Sequence, residues 1–219
     1  MAEIDLMDRY PKSKRPITER KNTVTDADRA ISRQFGKDYF DGDRMHGYGG
    51  YHYHPRFWQG TVRRFQEHYQ LPENASILDV GCAKGFMLHD FKEHMPRIQV
   101  AGLDISAYAI EHAMETVKPH LQVGNAKALP YADDSFDLVI AINVIHNLEL
   151  PECKQAIREI ERVSRGRSFI VVDAYRNDEE RQKLMNWVVT CRTHMYVCDW
   201  KKVFEECGYS GDYSWFIAE

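Results

Sequence analysis

An apolar run near residue 80 leads directly into two glycines, and this spacing suits the binding of a nucleotide-like ligand. Residues 77–80 form the run, which includes Asp79, and Gly81 and Gly85 follow it. Glycines at the end of a buried strand permit a tight turn and a close approach of the backbone to a ligand. A helix that binds pyrophosphate needs a small residue at position 86, where this chain has Phe86. We therefore expect Asp79 to face a cationic part of the ligand rather than a phosphate.

Polar residues also stand at the ends of the next apolar runs, where they could complete the same site. Asp104 lies about 20 residues beyond the turn, where a carboxylate can accept both hydroxyl groups of a ribose. Asn125 follows a short third run, and its side-chain amide could meet an adenine amino group. Asn143 and His146 follow the fourth run. These residue types predict a nucleoside-like ligand that touches several strand ends.

Such residues can meet only if the strands that carry them end at one edge of a sheet. After residue 75, short apolar runs alternate with segments of helical periodicity. Strands separated by helices imply a parallel sheet that is covered on both faces. The fold class is therefore predicted as α/β, doubly wound, with a mostly parallel sheet of six or seven strands. The predicted strands are 77–80, 100–105, 121–124, 136–142, 169–172 and 213–218, and the main predicted helices are 86–94, 108–117, 151–163 and 200–207.

The chain before this core is predicted to have two parts. Residues 1–23 are expected to form a mobile arm, because residues 9–21 are basic, contain two prolines and offer few apolar side chains. Residues 24–74 are expected to form a helical extension, with helices at 24–36 and 55–69, and residues 75–219 the core. The alternative for the basic arm is an electrostatic tether to RNA or membrane, which is disfavoured because charged tails are usually only solvated.

Residues 39–55, which we call the lid segment, have an unusual composition. The segment holds four glycines, four tyrosines and three histidines, which is incompatible with one regular helix. Long irregular segments in compact domains are commonly lids or binding loops. We expect Tyr48, Tyr51, His52 and Tyr53 to contact substrate, and a solvent-facing loop is the alternative. The three histidines of the segment also suggest a metal site, but too few acidic or thiol ligands stand near them, so no metal is expected.

Four motifs stand in a fixed order along the core: D-V-G-C-x-x-G, G-L-D-I-S, G-N-A-x-x-L-P and S-F-D-L-V-I. In order and spacing they resemble those of the class I S-adenosylmethionine-dependent methyltransferases of the small-molecule kind, from about residue 77 to 172. The resemblance implies a Rossmann-like fold and S-adenosylmethionine as cofactor. It also implies contacts to methionine from Asp79, Gly81, Ala83, Gly85 and the Asn143 backbone, to ribose from Asp104, and to adenine from Ile105, Asn125 and Ala126.

The chain departs from the family pattern at four points. Ala83 replaces the middle glycine of the turn, and Lys84 occupies a position that is often small. Asn125 stands where aspartate is commoner, which weakens the expected adenine contact. The residues after the last predicted helix suffice for one closing strand in place of the family's antiparallel pair.

Catalytic candidates are expected at the ends of the fourth and fifth strands. The sulfonium of the cofactor is already reactive, so the enzyme mainly aligns the acceptor and, for a hydroxyl, removes a proton. His146 is the first candidate for that base, and a structural histidine is the alternative. Asp173 and Tyr175 are the further catalytic candidates, and Arg176 could position a polar substrate. The chain lacks the Asn/Asp-Pro-Pro-aromatic segment of DNA amino-methyltransferases and the acid set of metal-dependent catechol enzymes.

Composition limits the partners. The formal net charge of −4 gives no reason to expect nucleic acid. The five cysteines form no C-x-x-C pair and resemble the reduced thiols of a cytoplasmic protein, and neither a signal peptide nor a membrane span is indicated. We expect a small-molecule substrate (a sugar or sugar nucleotide, an amino acid or amine, or a secondary metabolite), no membrane partner, and leave a homodimer open. The competing functions are an NAD-binding oxidoreductase and a non-catalytic cofactor-binding module.

Overall fold

The computed structural model describes residues 1–11 and 24–218, and within them seven strands form one sheet. The strand order is β3-β2-β1-β4-β5-β6, and β7 also pairs with β5. Each of these strand pairs is parallel. The carboxyl ends of the strands therefore share one edge, as predicted. The strands are β1 Ser76–Val80, β2 Gln99–Asp104, β3 Leu121–Val123, β4 Leu138–Ile142, β5 Ser168–Tyr175, β6 Met195–Tyr196 and β7 Asp212–Phe216.

Helices precede the sheet and connect its strands. Two short 3-10 helices also occur, at Lys118–His120 and at Ile145–Asn147. The α-helices are α1 Asp26–Ser32, α2 Lys37–Asp41, α3 Gln59–Tyr69, α4 Phe86–His94, α5 Ala107–Glu111, α6 Leu150–Val163, α7 Asp178–Trp187 and α8 Val197–Glu206. This alternation confirms the predicted α/β, doubly wound class.

Helices cover the sheet on both faces. Successive residues of a strand point to opposite faces, so neighbours in one strand pack in different clusters. In β1, Ile77 packs in a cluster with side chains from α3 and α4, whereas Leu78 packs in a cluster with side chains from α6 and α8. Both residues are fully buried. The near-continuous apolar runs of the central strands follow from this double covering.

Several element boundaries differ from the sequence-based expectations. The helix predicted over 24–36 is shortened to α1, Asp26–Ser32, and Phe35 beyond it adopts a left-handed backbone conformation with φ 50°. The separate helix α2 was not predicted, and its last residues lie in the lid segment. The helix predicted over 108–117 is only the five-residue α5. The helix predicted from 55 begins later, at Gln59. Strand β6 was not predicted, since two residues carry no periodic signal.

The closing strand β7 is present and pairs in parallel with β5 over the register Phe169↔Asp212 to Asp173↔Phe216. Its other side contacts the start of the chain: the Ile4 N–H donates to the Tyr213 carbonyl at 2.9 Å, and a parallel bridge joins Glu3 to Tyr213. After the last helix the chain thus forms one closing strand, as expected from its sequence, in place of the family's antiparallel pair.

The first eleven residues differ from the expected mobile arm, because they pack on the core. Leu6 is fully buried in the cluster beneath α3 and α4. Arg9 forms an ion pair with Glu67 at 3.0 Å, and Tyr10 packs edge-on against Trp58 with ring centroids 4.8 Å apart. The remainder of the predicted arm, residues 12–23, lies outside the described residues. Within the described ranges, no helix has the length and apolar character needed to cross a membrane.

Candidate functional site

The turn after β1 is built from left-handed backbone conformations. Gly81, Ala83 and Gly85 have φ values of 82°, 49° and 75°. Ala83 is strained there, because a side chain costs roughly 1–2 kcal/mol in the left-handed region. The Gly81 N–H donates to the Leu103 carbonyl at 2.6 Å, which fixes the turn against the end of β2. Strain retained in a turn at a strand's carboxyl end is typical of functional sites.

Asp104 connects this turn to the end of β2. One carboxylate oxygen accepts the Ala83 N–H at 2.8 Å, and the other accepts the Ser106 N–H at 2.8 Å. Asp104 is 8% exposed. Burial raises its pKa, and these two backbone hydrogen bonds oppose the increase. The structure thus brings together the turn and the acid that the sequence assigned to one ligand.

Asp79 is the second buried acid at this edge, with 5% of its surface exposed. Burial, together with the nearby charge of Asp104, raises the pKa of Asp79 to about 8. Among the described residues, neither carboxylate forms an ion pair with a lysine, arginine or histidine. Two neighbouring buried acids without a basic partner favour a cationic ligand group, since a positive charge would stabilise their ionised forms.

We expect the Asp79→Asn variant of the ligand-free protein to lose most of the pH dependence of stability between pH 5 and pH 8. Because the folded-state pKa of Asp79 is about 8 and lies above its unfolded value, the folded protein holds a proton that the unfolded chain releases. Stability therefore falls as pH rises through this window, by at most about 1.4 kcal/mol per pH unit. Urea unfolding at several pH values measures the slope.

The control for this experiment is Asp38→Asn, which changes an exposed acid in the short helix α2. We expect it to leave the slope of stability against pH unchanged. An Asp79→Asn protein with the wild-type slope would show that Asp79 is ionised in the folded state.

The remaining predicted cofactor residues lie at the same edge. Ile105 follows β2 and is 53% exposed, which is unusual for a large apolar side chain and leaves its face available for a flat ring. Asn125 accepts the Lys127 N–H on its side-chain oxygen at 3.0 Å, and Ala126 is buried. Asn143 ends β4 in a left-handed conformation with φ 57°, which asparagine tolerates well.

His146 is buried and not free in solvent. Its Nδ1 accepts the Asp173 N–H at 3.0 Å, and its Nε2 lies 3.4 Å from the Asp173 Oδ2. With Nδ1 as acceptor, the neutral ring carries its proton on Nε2, facing the carboxylate. Burial lowers the pKa of His146, and the charge of Asp173 opposes that decrease. The predicted base therefore has both ring nitrogens directed at one residue.

Asp173 is the centre of this buried group. Burial raises its pKa, and the neighbouring His146, the Cys191 thiol and His194 act in the opposite direction. The Trp200 indole N–H donates to its carbonyl at 3.0 Å. His146, Asp173 and Cys191 include the side-chain types of a metal site, with ligand atoms within 4.8 Å of one another. The tautomer of His146 nevertheless places a proton, rather than a lone pair, between ring and carboxylate.

Tyr175 and Arg176 follow Asp173 in the chain but differ in their surroundings. Tyr175 is buried against Tyr196 with ring centroids 4.6 Å apart, and burial raises its pKa. Arg176 is exposed and pairs with Glu180 at 3.4 Å. Tyr175 is therefore the buried last residue of β5, whereas Arg176, which follows the strand, lies on the surface.

The lid segment folds against the turn and α4. The Tyr51 ring stacks on Phe86 with centroids 4.8 Å apart, and the Tyr53 hydroxyl donates to the Asp90 Oδ1 at 2.6 Å. Tyr48 packs against Tyr51 at 4.4 Å and is 42% exposed. His52 is exposed. Three of the four predicted lid residues thus form one aromatic group beside the candidate site.

The other histidines of the lid segment have separate neighbours. The His46 Nε2 lies 3.1 Å from the Asp28 Oδ1, and the His54 Nδ1 accepts the Arg56 N–H at 3.2 Å. The structure therefore directs the two rings to different partners.

The contact that joins the lid segment to the turn was not predicted from the sequence. The Lys84 ammonium lies 2.6 Å from the Asp41 Oδ2 and donates to the Tyr51 carbonyl at 2.9 Å. The one available signal was a lysine where related turns have a small residue. Nothing local marks Asp41 as its partner, because the two residues are far apart in the chain.

Comparison with known proteins agrees with this geometry. Residues 77–167 match the family model described as a methyltransferase domain. Demethylmenaquinone methyltransferase of Lactiplantibacillus plantarum is 32% identical over 130 residues, which cover 55% of this chain and 54% of the relative. Ajmaline N-methyltransferase of Rauvolfia serpentina is 34% identical over 105 residues, which cover 44% of this chain and 35% of the relative. The chain thus spans about half, or less, of the length of these curated relatives.

A solved structure shows the same fold. A putative methyltransferase from Bacillus halodurans C-125 superposes with a TM-score of 0.53 at 20% identity, and the match covers 67% of this chain and 68% of that chain. The family model covers the part of the chain that holds the turn, Asp104 and Asn143. The sequence of residues 77–167 and the fold of the chain are therefore both similar to those of methyltransferases.

Proposed function

We propose that the protein is an enzyme that transfers a methyl group from S-adenosylmethionine to an oxygen or nitrogen atom of a small polar metabolite. The observation that carries this proposal is the pair of buried acids, Asp79 and Asp104, which lack a basic partner among the described residues. A sulfonium and an ammonium supply the positive charge that such a pair favours. A dinucleotide would bring a pyrophosphate to the same place.

The residues at the carboxyl ends of the strands fit this cofactor in charge and shape. Asp104 would hold the ribose hydroxyls, Asp79 and the backbone of the turn the methionine part, and the exposed face of Ile105 the adenine ring. A side chain at Gly81 would fill the space beside Val144, since an added Cβ would lie 2.1 Å from its Cγ2. When bound, the cofactor supplies an activated methyl group, and the protein has to align the acceptor with it.

We assign the role of base, which removes the proton of a hydroxyl or ammonium acceptor, to Asp173 rather than to His146. The raised pKa of Asp173 makes its carboxylate a better base than an ordinary aspartate, and His146 holds that carboxylate through its Nε2 proton. His146 is then a positioning residue. Tyr175 stands two residues after Asp173 in β5, and Arg176 follows it on the protein surface. Both remain candidates for contacts with the acceptor.

The acceptor belongs to the small-molecule class in this proposal. The net charge of −4 does not favour a polyanion, and the aromatic side chains Tyr48, Tyr51 and Tyr53 suit a sugar ring, an amine or an aromatic metabolite. The relatives include enzymes named for two different acceptors, ajmaline and demethylmenaquinone. A shared fold therefore does not fix the acceptor.

Calorimetry and a turnover screen test the proposal. We expect S-adenosylhomocysteine to bind and NAD not to bind, whereas the reverse result would support an oxidoreductase. Incubation of the protein with labelled methyl donor and fractionated metabolite extracts should then yield a labelled small molecule. Binding without transfer to any fraction would instead indicate a non-catalytic cofactor-binding module.

We expect Asp104→Ala to weaken the binding of S-adenosylhomocysteine at least tenfold, which corresponds to about 1.4 kcal/mol. The substitution removes the proposed ribose acceptor and also the acceptor of the Ala83 N–H, which shapes the turn. Calorimetry measures the change, and circular dichroism verifies that the variant is folded. Glu111→Ala is the matched control, because Glu111 is an exposed acid on the helix that follows the same strand. Equal affinities for Asp104→Ala and wild type would contradict the ribose assignment.

A further inference from the structure

Lys84 is a buried lysine within the turn that the proposed function assigns to cofactor binding. Its side chain is 7% exposed, and its ammonium donates to the Asp41 Oδ2 at 2.6 Å and to the Tyr51 carbonyl at 2.9 Å. Lysine is almost never fully buried unless its charge is paired. Both partners belong to the lid segment, so the ion pair of Lys84 forms only while that segment lies against the turn.

Asp41 gathers hydrogen bonds from three separate parts of the chain. Besides Lys84, the Tyr108 hydroxyl donates to its Oδ2 at 2.7 Å, and the Tyr51 N–H donates to its Oδ1 at 2.9 Å. Burial acts to raise the pKa of Asp41, but these hydrogen bonds lower it to about 2. The carboxylate is therefore ionised at every physiological pH, and it joins the lid segment to the turn and to α5.

Asp41 and Lys84 both form hydrogen bonds with the backbone of Tyr51. Asp41 binds its N–H, Lys84 binds its carbonyl, and its ring stacks on Phe86. Burial raises the pKa of the Tyr51 phenol, and the carboxylates of Asp79 and Asp104 are close enough to raise it further. The ring lies against Phe86, the first residue of the helix that follows the turn.

We propose that the Asp41–Lys84 ion pair is a latch that fastens the lid segment over the turn and positions Tyr51 there. The part of this proposal that concerns cofactor retention rests on the proposed function. With the latch intact, the lid segment stays closed and a bound cofactor leaves slowly. Without it, the buried charge that remains keeps its hydrogen bonds but loses its opposite charge, which favours the open arrangement.

Hydrogen exchange measures the latch in the ligand-free protein, without any assumption about function. We expect Asp41→Asn and Lys84→Met to accelerate amide exchange in residues 39–53 at least tenfold, with no change in the central strands. Asp38→Asn and Lys37→Met are matched controls, because they alter an exposed acid and an exposed lysine in the same short helix. We expect both controls to exchange like wild type.

Two further measurements sharpen this test. The double variant should exchange no faster than the faster single variant, because either substitution already opens the latch. Tyr108→Phe removes one donor to Asp41 and leaves the ion pair, so a smaller acceleration in the same residues is expected. This milder variant also decides the question if a charge substitution prevents folding.

Unchanged exchange in residues 39–53, or a uniform acceleration over the whole chain, would overturn the latch. Stopped-flow measurement of S-adenosylhomocysteine release should show dissociation at least tenfold faster in Asp41→Asn than in Asp38→Asn. If exchange responds locally but the wild type does not bind S-adenosylhomocysteine, the latch stands and the proposed function fails. If binding occurs and the release rates are equal, the latch has no role in cofactor retention and that part of the proposal is wrong.

Discussion

Asp173→Asn should lower the rate of methyl transfer at least a hundredfold while leaving the affinity for S-adenosylhomocysteine unchanged. The substitution keeps the size of the side chain but removes the carboxylate that we propose as proton acceptor, and such groups contribute about 10²–10⁴-fold to a rate. Asp173 lies in β5, which β4 separates from β1 and its turn, so the cofactor contacts should persist. Transfer of labelled methyl groups under saturating cofactor measures kcat.

The pH profile of the wild type gives a second measurement of the same residue. A base acts only when deprotonated, and burial raises the pKa of Asp173. We therefore expect activity to fall on acidification at a pH above the usual aspartate range of about 4. In the Asp173→Asn protein this acidic decline should disappear from the residual activity.

His146→Asn separates catalysis by Asp173 from simple support of the fold. An asparagine oxygen can still accept the Asp173 N–H, as the Nδ1 of His146 does at 3.0 Å, but nothing then faces the carboxylate from the Nε2 position. We expect a smaller loss of kcat than in Asp173→Asn, together with a lower melting temperature, because the smaller side chain leaves a cavity at a buried position. Full turnover in Asp173→Asn would show that the pair only supports the structure.

Gly81→Ala should destabilise the protein by about 2–5 kcal/mol. The φ of 82° costs an alanine roughly 1–2 kcal/mol, and crowding in a packed region typically adds about 1–3 kcal/mol. An added Cβ would lie 2.1 Å from the Cγ2 of Val144 and 2.8 Å from its Cγ1, so the residue after Asn143 would have to move. Urea unfolding measures the loss.

Two other glycines separate the backbone cost from the crowding. Gly166 has a φ of 87° but no neighbour within 4 Å of a built Cβ, so Gly166→Ala should cost only the backbone part. Gly36 has a φ of −88° and equally open surroundings, so Gly36→Ala should cost only the loss expected when alanine replaces glycine at a helix N-cap. If Gly81→Ala costs no more than Gly166→Ala, the contact with Val144 is not a constraint on the turn.

Much of the fold was predictable because the central strands carry a strong local signal. The apolar runs at β1, β2, β4 and β5 are recognisable without tertiary information, since a strand buried on both faces is apolar at every position. Boundaries were less predictable where one residue decides them, as Phe35 does between α1 and α2. The packing of residues 1–11 was missed because it depends on a distant partner, β7.

The sequence by itself determined the fold class, the turn after β1 and the acids that stand beside it. Glycine spacing and strand-end acids are local properties, and parallel strands must place their carboxyl ends together. Only the tertiary structure decided the partners of the charged side chains. The hydrogen bond between Asp173 and His146, and the ion pair between Lys84 and Asp41, join residues 27 and 43 positions apart. Such contacts depend on how the chain folds back on itself, which no local pattern encodes.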